Sequence, residues 1–291
     1  MSVTAASREP RQWRAGLENV RETMTVRALV LSGIFLVAFF ALYALFVHTA
    51  DGQRVDIGTF GAVTEVNARW SDYGTFFRDQ LPLAAAALAA VLVAVAWEQR
   101  RLRVATIAVS FFMVTALASW GLKVVVLGRP DLGDYGYEWN TFPAGQTTII
   151  TTLGIAILIL LPLGLPRAGV VVAAFVLAIV TAGSAVITFA HRPSDVVGSF
   201  LLVGAFAVPA AAASGVKVVG RWPLWIGGLG ILSLAAGVFA LTERWQQEPT
   251  AGTPTTDLLN AGTVGPLLSA VGVLLLVYTA IAAVTPRKQP T

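Results

Sequence analysis

The sequence predicts an all-α fold, a polytopic membrane helical bundle of about eight transmembrane helices. Of its 291 residues, 56% are hydrophobic and 12% are charged, whereas soluble domains are closer to a quarter charged. The mean hydropathy is +0.74. Apolar stretches that can cross about 30 Å of hydrocarbon recur along the chain with short connections. These features leave no room for a separate soluble domain.

Each predicted helix is an apolar stretch bounded by charged, Pro-rich or Gly-rich residues. The stretches are dominated by Ala, Val, Leu and Gly, which allow close helix packing in lipid. The second is short and the seventh is rich in glycine, so eight is an approximate number. In chain order they are 28–47, 81–97, 104–122, 146–165, 169–190, 196–216, 222–241 and 264–285.

The polar segments between these stretches predict how the chain lies in the membrane. Residues 1–27 form a basic arm with five arginines, which we interpret as a topology signal that can touch anionic lipid head groups. Residues 51–80 mix aromatic and charged side chains and predict an interfacial amphipathic helix. Residues 242–263 are rich in Thr, Pro and Gly and predict a flexible loop.

The distribution of charge predicts a multi-pass protein of the cell membrane with both termini in the cytoplasm. With eight spans, 13 of the 20 Lys and Arg residues and only four of the 16 acidic residues fall on the inner side, which follows the positive-inside rule. This bias explains the sequence pI of 9.8 without a nucleic-acid partner. Cysteine is absent, and the residue spacing indicates neither a metal site nor a cofactor.

Three polar islands interrupt the apolar pattern, all on the predicted outer face. The third is His191-Arg192-Pro193-Ser194-Asp195. Pro193 suits the first turn of a helix, where a carboxylate is also favourable. Asp195 can approach the imidazole of His191 and leave the other ring nitrogen as a base or nucleophile. The alternative is an interfacial histidine beside a helix-capping aspartate.

The other two islands are suited to binding phosphate. Lys123 and Arg129 lie at the end of a span, where they are either interfacial anchors or a phosphate clamp. Ala144 and Gly145 precede the next span, where backbone N–H groups can approach an anion. The alternative for this second island is an ordinary turn into a helix.

The order of the islands resembles the membrane-bound type 2 phosphatidic acid phosphatase/haloperoxidase superfamily. The third motif matches best, as Ser184-Ala185, five residues, His191, three residues and Asp195. The resemblance implies a six-helix phosphatase-like core at 28–216 and an addition of two helices and a short tail at 217–291. It also implies a phosphohistidine on His191, oriented by Asp195, with phosphate bound by Lys123, Arg129, Ala144 and Gly145.

Three departures from the family pattern affect the expected chemistry. Gln146 stands where the family has a histidine that protonates the leaving group, and Ala185 stands where it has a phosphate-binding arginine. The spacing from Lys123 to Arg129 is one residue short. Arg192 is a candidate replacement for the missing arginine. Because glutamine cannot supply a proton near neutral pH, we expect a diphosphate substrate, whose leaving group needs little protonation.

Two classes of function remain open from the sequence. The first is a phosphatase-like hydrolase of the cell envelope that acts on a lipid phosphate or diphosphate at the outer leaflet. The second is a non-catalytic member of the superfamily that binds a lipid phosphate or serves as an accessory subunit of a membrane complex, with a membrane-protein partner or a second copy of itself. A transporter is disfavoured because no span carries mid-membrane charges.

Overall fold

The computed structural model is an all-α polytopic bundle. It describes residues 9–133, 139–162, 165, 167–215, 222–246 and 261–285. Each of the eight predicted spans is helical over most of its described residues, and within the described residues there is no strand. The helices are α1 (Glu9–Val47), α2 (Ala50–Glu98), α3 (Leu102–Gly121), α4 (Gly145–Leu160), α5 (Arg167–Ile187), α6 (Pro193–Ser214), α7 (Trp222–Gln246) and α8 (Ala261–Val284), and a π-helical turn (Leu122–Val126) extends α3.

The two helices that carry the second and third islands, α4 and α6, form the centre of the bundle. Nearly every side chain of α4 and most of those of α6 are buried. The other seven α-helices contain apolar stretches long enough to span a membrane, whereas α4 has only 16 residues. It ends before the predicted boundary because Leu161 precedes Pro162, a position that disfavours helical backbone.

The basic arm and the C-terminal segment are helical over most of their described parts. Helix α1 begins at Glu9 within the predicted arm of residues 1–27, and Arg8 lies outside the described residues. The predicted flexible loop at 242–263 is helical at both ends, because α7 continues to Gln246 and α8 begins at Ala261, and residues 247–260 lie outside the described residues. Helix α8 packs on both α6 and α7, and its Leu274 and Val277 are fully buried in the same core as α6.

The segment 51–80 is not a separate surface helix, as the sequence suggested, but the first part of α2. Thr49 caps this helix by accepting a hydrogen bond at Oγ1 from Gly52 N (3.0 Å). Its first turns are buried through Gln53, Asp56 and Thr59, while Trp70 and other aromatic side chains further along are exposed. The buried residues at 52–53, 55–56, 59 and 62–63 share one face of this helix, which fits the predicted amphipathic pattern, but that face packs inside the protein.

The backbones of α7 and α8 lie close together at Gly237, and a substitution there tests the packing of the two helices. A Cβ atom added at Gly237 would lie 2.6 Å from Ser269 N and 2.8 Å from Gly265 O. We expect Gly237→Ala to destabilise the protein by about 1–3 kcal/mol, because the opposing backbone must move. Thermal unfolding in detergent measures this effect.

The same helix offers a matched control in Gly228, where an added Cβ would meet nothing within 4 Å. Gly228→Ala should leave stability unchanged or raise it by up to about 1 kcal/mol, since alanine favours helix. Equal unfolding temperatures for the two variants would contradict the close packing.

Candidate functional site at the ends of α4 and α6

The connection between α5 and α6 fixes the backbone of His191. Phe189 adopts a left-handed conformation (φ 57°) just after α5 ends. The carbonyl of Ala185 accepts hydrogen bonds from Ala190 N and His191 N, each at 3.0 Å, which terminates the helix as in common C-caps. Helix α6 then begins at Pro193. His191 is therefore held between the end of one helix and the start of the next.

Asp195 is the central acceptor of the site and is fully buried. Its Oδ2 accepts a hydrogen bond from Arg192 N (2.9 Å) and lies 3.5 Å from His191 Nδ1. Its Oδ1 lies 3.4 Å from Arg129 Nη2. The first and third islands therefore meet at this carboxylate, although the separation from His191 is longer than a normal hydrogen bond.

The second island joins the third through its backbone and through Gln146. Ala144 N donates to Asp195 O (3.0 Å), and Ser199 Oγ donates to Ala144 O (2.8 Å). The Gln146 side chain places Oε1 3.3 Å from His191 Nε2. The two ring nitrogens thus face different groups, with the carboxylate on one side and the amide on the other.

Helix α4 begins at Gly145 without a capping side chain, since the preceding Ala144 has none to offer. The N–H groups in the first turn of a helix have no partners within that helix, and they favour an anion. Gly145 has no Cβ, and nothing lies within 4 Å of the position that one would occupy. The start of α4 is therefore open to a group that approaches from the side of Gln146.

Arg129 lies on a short segment that is tethered by side chains from three parts of the chain. Asn140 Nδ2 donates to Leu127 O (3.0 Å), Tyr43 Oη donates to Gly128 O, and Gln53 Nε2 donates to Pro130 O (3.0 Å). These contacts fix the backbone on both sides of Arg129. Sequence reasoning missed all three tethering residues, because each binds a carbonyl far away in the sequence.

The other two predicted phosphate-binding cations, Lys123 and Arg192, lie near the site but do not form an ion pair with Asp195 as close as that of Arg129. Lys123 lies on the π-helical turn, is partly buried and interacts electrostatically with Asp195. Its carbonyl accepts a hydrogen bond from Asn140 Nδ2 (3.2 Å). Arg192 is fully buried, and its backbone N–H is bonded to Asp195. Lys123 therefore shares the carboxylate partner of Arg129, whereas Arg192 contributes its backbone N–H to that carboxylate.

Asp56 is a residue of this region that sequence reasoning missed. It is buried on α2, where Oδ1 accepts a hydrogen bond from Ser194 N (3.0 Å) and Oδ2 accepts one from Ser194 Oγ. It therefore caps the start of α6 from another helix. Burial raises the pKa of Asp56 from 3.8 to about 7, and the nearby negative charge of Asp195 adds to the increase.

The site contains a buried arginine with unused hydrogen-bond donors. The Arg129 side chain is only 2% exposed, yet its Nε and Nη1 have no hydrogen-bond partner. Burying an arginine without full pairing is costly, so these atoms are suited to an oxyanion. Among the described residues, no cluster of three His, Cys, Asp or Glu side chains could hold a metal ion.

Comparison with known proteins adds no identification to this geometry. No family model, curated protein or solved structure matches the chain.

The raised pKa of Asp56 predicts a pH-dependent stability. Between 3.8 and about 7 the folded protein keeps a proton on Asp56 that the unfolded chain releases, so this contribution to stability falls as the pH rises through that window. We expect a smaller decrease of the unfolding temperature for Asp56→Asn than for the wild type between about pH 5 and pH 8.

Asp51→Asn is the matched control, because Asp51 lies on the same helix but is exposed and paired only with Arg54 (2.8 Å). It should retain the decrease seen in the wild type. The assignment to Asp56 is wrong if Asp56→Asn shows the same decrease as Asp51→Asn.

Proposed function

We propose that this protein hydrolyses a lipid phosphate or diphosphate at the membrane surface, with His191 as the nucleophile. The observation that carries the proposal is the buried guanidinium of Arg129, which has free donors at Nε and Nη1 and lies beside the same carboxylate as His191. Arginine binds phosphate through paired donors. The open start of α4 supplies backbone N–H groups for the same anion.

The proposed reaction proceeds through a phosphohistidine. His191 Nε2 attacks phosphorus, the N–P bond forms, and the bond from phosphorus to the leaving oxygen breaks with its electron pair on that oxygen. Asp195 stabilises the positive imidazole ring from the Nδ1 side. Water then cleaves the N–P bond, which releases inorganic phosphate and restores His191.

Gln146 favours a diphosphate as the substrate. Its amide contacts His191 Nε2, where it can orient the ring or a phosphate oxygen, but it has no titratable proton near neutral pH. A lipid alkoxide needs a proton to leave, whereas a phosphate leaving group needs little. We therefore propose a lipid diphosphate, such as a polyprenyl diphosphate, over a phosphomonoester.

A second candidate function is lipid-phosphate binding without catalysis, alone or as a subunit of a membrane complex. The contact between Gln146 Oε1 and His191 Nε2 favours it, because a ring nitrogen that donates its proton to an amide oxygen has no lone pair for attack. The opposite orientation of the amide would present its NH₂ group and leave the lone pair on the histidine. Activity measurements separate these alternatives.

The test is phosphate release by purified protein from a polyprenyl diphosphate and from phosphatidic acid. Under the hydrolase proposal, His191→Ala abolishes release from both. Gln146→His should raise phosphomonoester hydrolysis, by up to the 10²–10⁴-fold typical of a general acid, and change diphosphate cleavage much less. Arg54→Ala serves as the control, because Arg54 pairs with an exposed aspartate on α2.

Binding measurements complete the test. If the wild type and His191→Ala release phosphate equally slowly, the hydrolase proposal is wrong and the site is a binding pocket. In that case Arg129→Ala should weaken lipid-phosphate binding by about 10- to 100-fold, the effect of a lost charge-assisted contact. An inactive wild type whose lipid binding is insensitive to Arg129→Ala would overturn both functions.

A further inference from the structure

We propose that Asp56 is a positioning residue of the phosphate site, which holds the first turn of α6 and lowers the affinity of the site for anions when it ionises. The inference rests on the proposed function. It begins from the geometry of the Asp56 carboxyl group, whose two oxygens bind the backbone N–H and the hydroxyl of one residue, Ser194. Ser194 is adjacent to Asp195 in the first turn of α6.

Asp56 belongs to a buried polar stripe on α2 that supports both halves of the site. Gln53, one turn earlier, binds Pro130 O next to Arg129, and Asp56 binds the start of α6 next to Asp195. Further along the same helix, Phe60 packs on Phe189 with ring centroids 5.0 Å apart. One helix therefore sets the distance between the segment of Arg129 and the segment of His191 and Asp195.

The charge of Asp56 affects the anion site because Asp56 interacts electrostatically with the charged residues of that site. Asp195 on α6 and Arg129 on the segment after the π-helical turn interact with it directly. His191 and Lys123 in turn interact with Asp195. The buried Arg192 lies two residues before Ser194 in the chain, at the start of α6. On its own helix, Asp51 and Arg54 pair with each other at the surface.

Ionisation of Asp56 would place a second negative charge beside Asp195. Charges in a buried environment are weakly screened, so this charge reduces the attraction of Arg129 for an incoming anion. Because the pKa of Asp56 is raised to about 7, the proton is present below that pH and lost above it. The affinity of the site for anions should therefore decrease as the pH rises through this value.

The experiment is sulfate binding to the purified full-length protein above and below this pH. Sulfate remains a divalent anion throughout the range, so any change in affinity belongs to the protein. The key variant is Asp56→Asn, because its amide can accept a hydrogen bond from Ser194 N and donate one to Ser194 Oγ. It therefore keeps both contacts and removes the charge. His191 is common to both proteins, so its own protonation cancels in their difference.

The expected sulfate affinity differs among three variants, Asp56→Asn, Asp56→Ala and Asp51→Asn. Asp56→Asn should bind sulfate more tightly than the wild type above pH 7, by up to about tenfold, which corresponds to one pKa unit of interaction. Below this pH the two should bind equally. Asp56→Ala, which loses both contacts to Ser194, should bind more weakly than Asp56→Asn at every pH. Asp51→Asn, the exposed control, should match the wild type throughout.

The outcomes separate this inference from the proposed function. If the wild type binds sulfate in a manner that Arg129→Ala abolishes, but Asp56→Asn shows the pH dependence of the wild type, the inference alone is overturned. It is also overturned if Asp56→Ala binds as tightly as Asp56→Asn, because the contacts then position nothing. A wild type that binds no sulfate overturns the inference, while the phosphate-release and lipid-binding measurements decide the proposed function separately. Should Asp56→Ala fail to fold, the comparison of Asp56→Asn with the wild type still decides.

Discussion

The burial of the Asp195 carboxylate is the constraint on which the rest of the site depends. A buried carboxylate costs several kcal/mol unless it is paired and hydrogen-bonded. Here it is fully buried and is satisfied by Arg192 N, Arg129 Nη2 and, at longer range, His191 Nδ1. These partners come from segments that are more than 60 residues apart in sequence. Because Arg129 is the charged partner of this carboxylate, a shift of its segment would separate two buried charges.

The support of Arg129 explains how a loop residue can be part of a precise site. The segment follows a π-helical turn, and such turns are frequent at functional sites. Side chains of Tyr43, Gln53 and Asn140 bind its carbonyl groups from three directions. Each hydrogen bond gives a backbone carbonyl of the segment a side-chain partner. The loop therefore gains the rigidity that binding sites usually take from helices or strands.

The sequence was sufficient to predict the fold class and the approach of Asp195 to His191, but not the contacts that hold the polar islands in place. The eight apolar stretches were visible because hydrocarbon thickness sets their length. His191 and Asp195 were visible because they lie four residues apart at a helix start. Asp56 and Gln53 were missed because segment 51–80 was interpreted as interfacial from its aromatic and charged residues. The burial of its first turns depends on tertiary contacts with Ser194 and Pro130, which local sequence does not encode.

The starts of α4 and α6 differ in their capacity to bind an anion, and this difference distinguishes the two ring nitrogens of His191. At α6 two carboxylates already occupy the first turn, since Asp56 binds Ser194 N and Asp195 binds Arg192 N. This end therefore has little capacity left for another anion. At α4 the residue before the helix is Ala144, which cannot cap it. The positive end of that helix is consequently available to a ligand.

His191 lies between these two helix starts. Its Nδ1 is on the side of the carboxylates, and its Nε2 is on the side of Gln146 in the first turn of α4. A phosphate bound by Arg129 and the N–H groups of α4 would therefore meet Nε2 rather than Nδ1. On the proposed function, the negative groups at α6 orient the ring and stabilise its positive form, while the open start of α4 takes up the charge of the substrate. The same asymmetry explains why a second ionised carboxylate at Asp56 would weaken the site without touching the ligand.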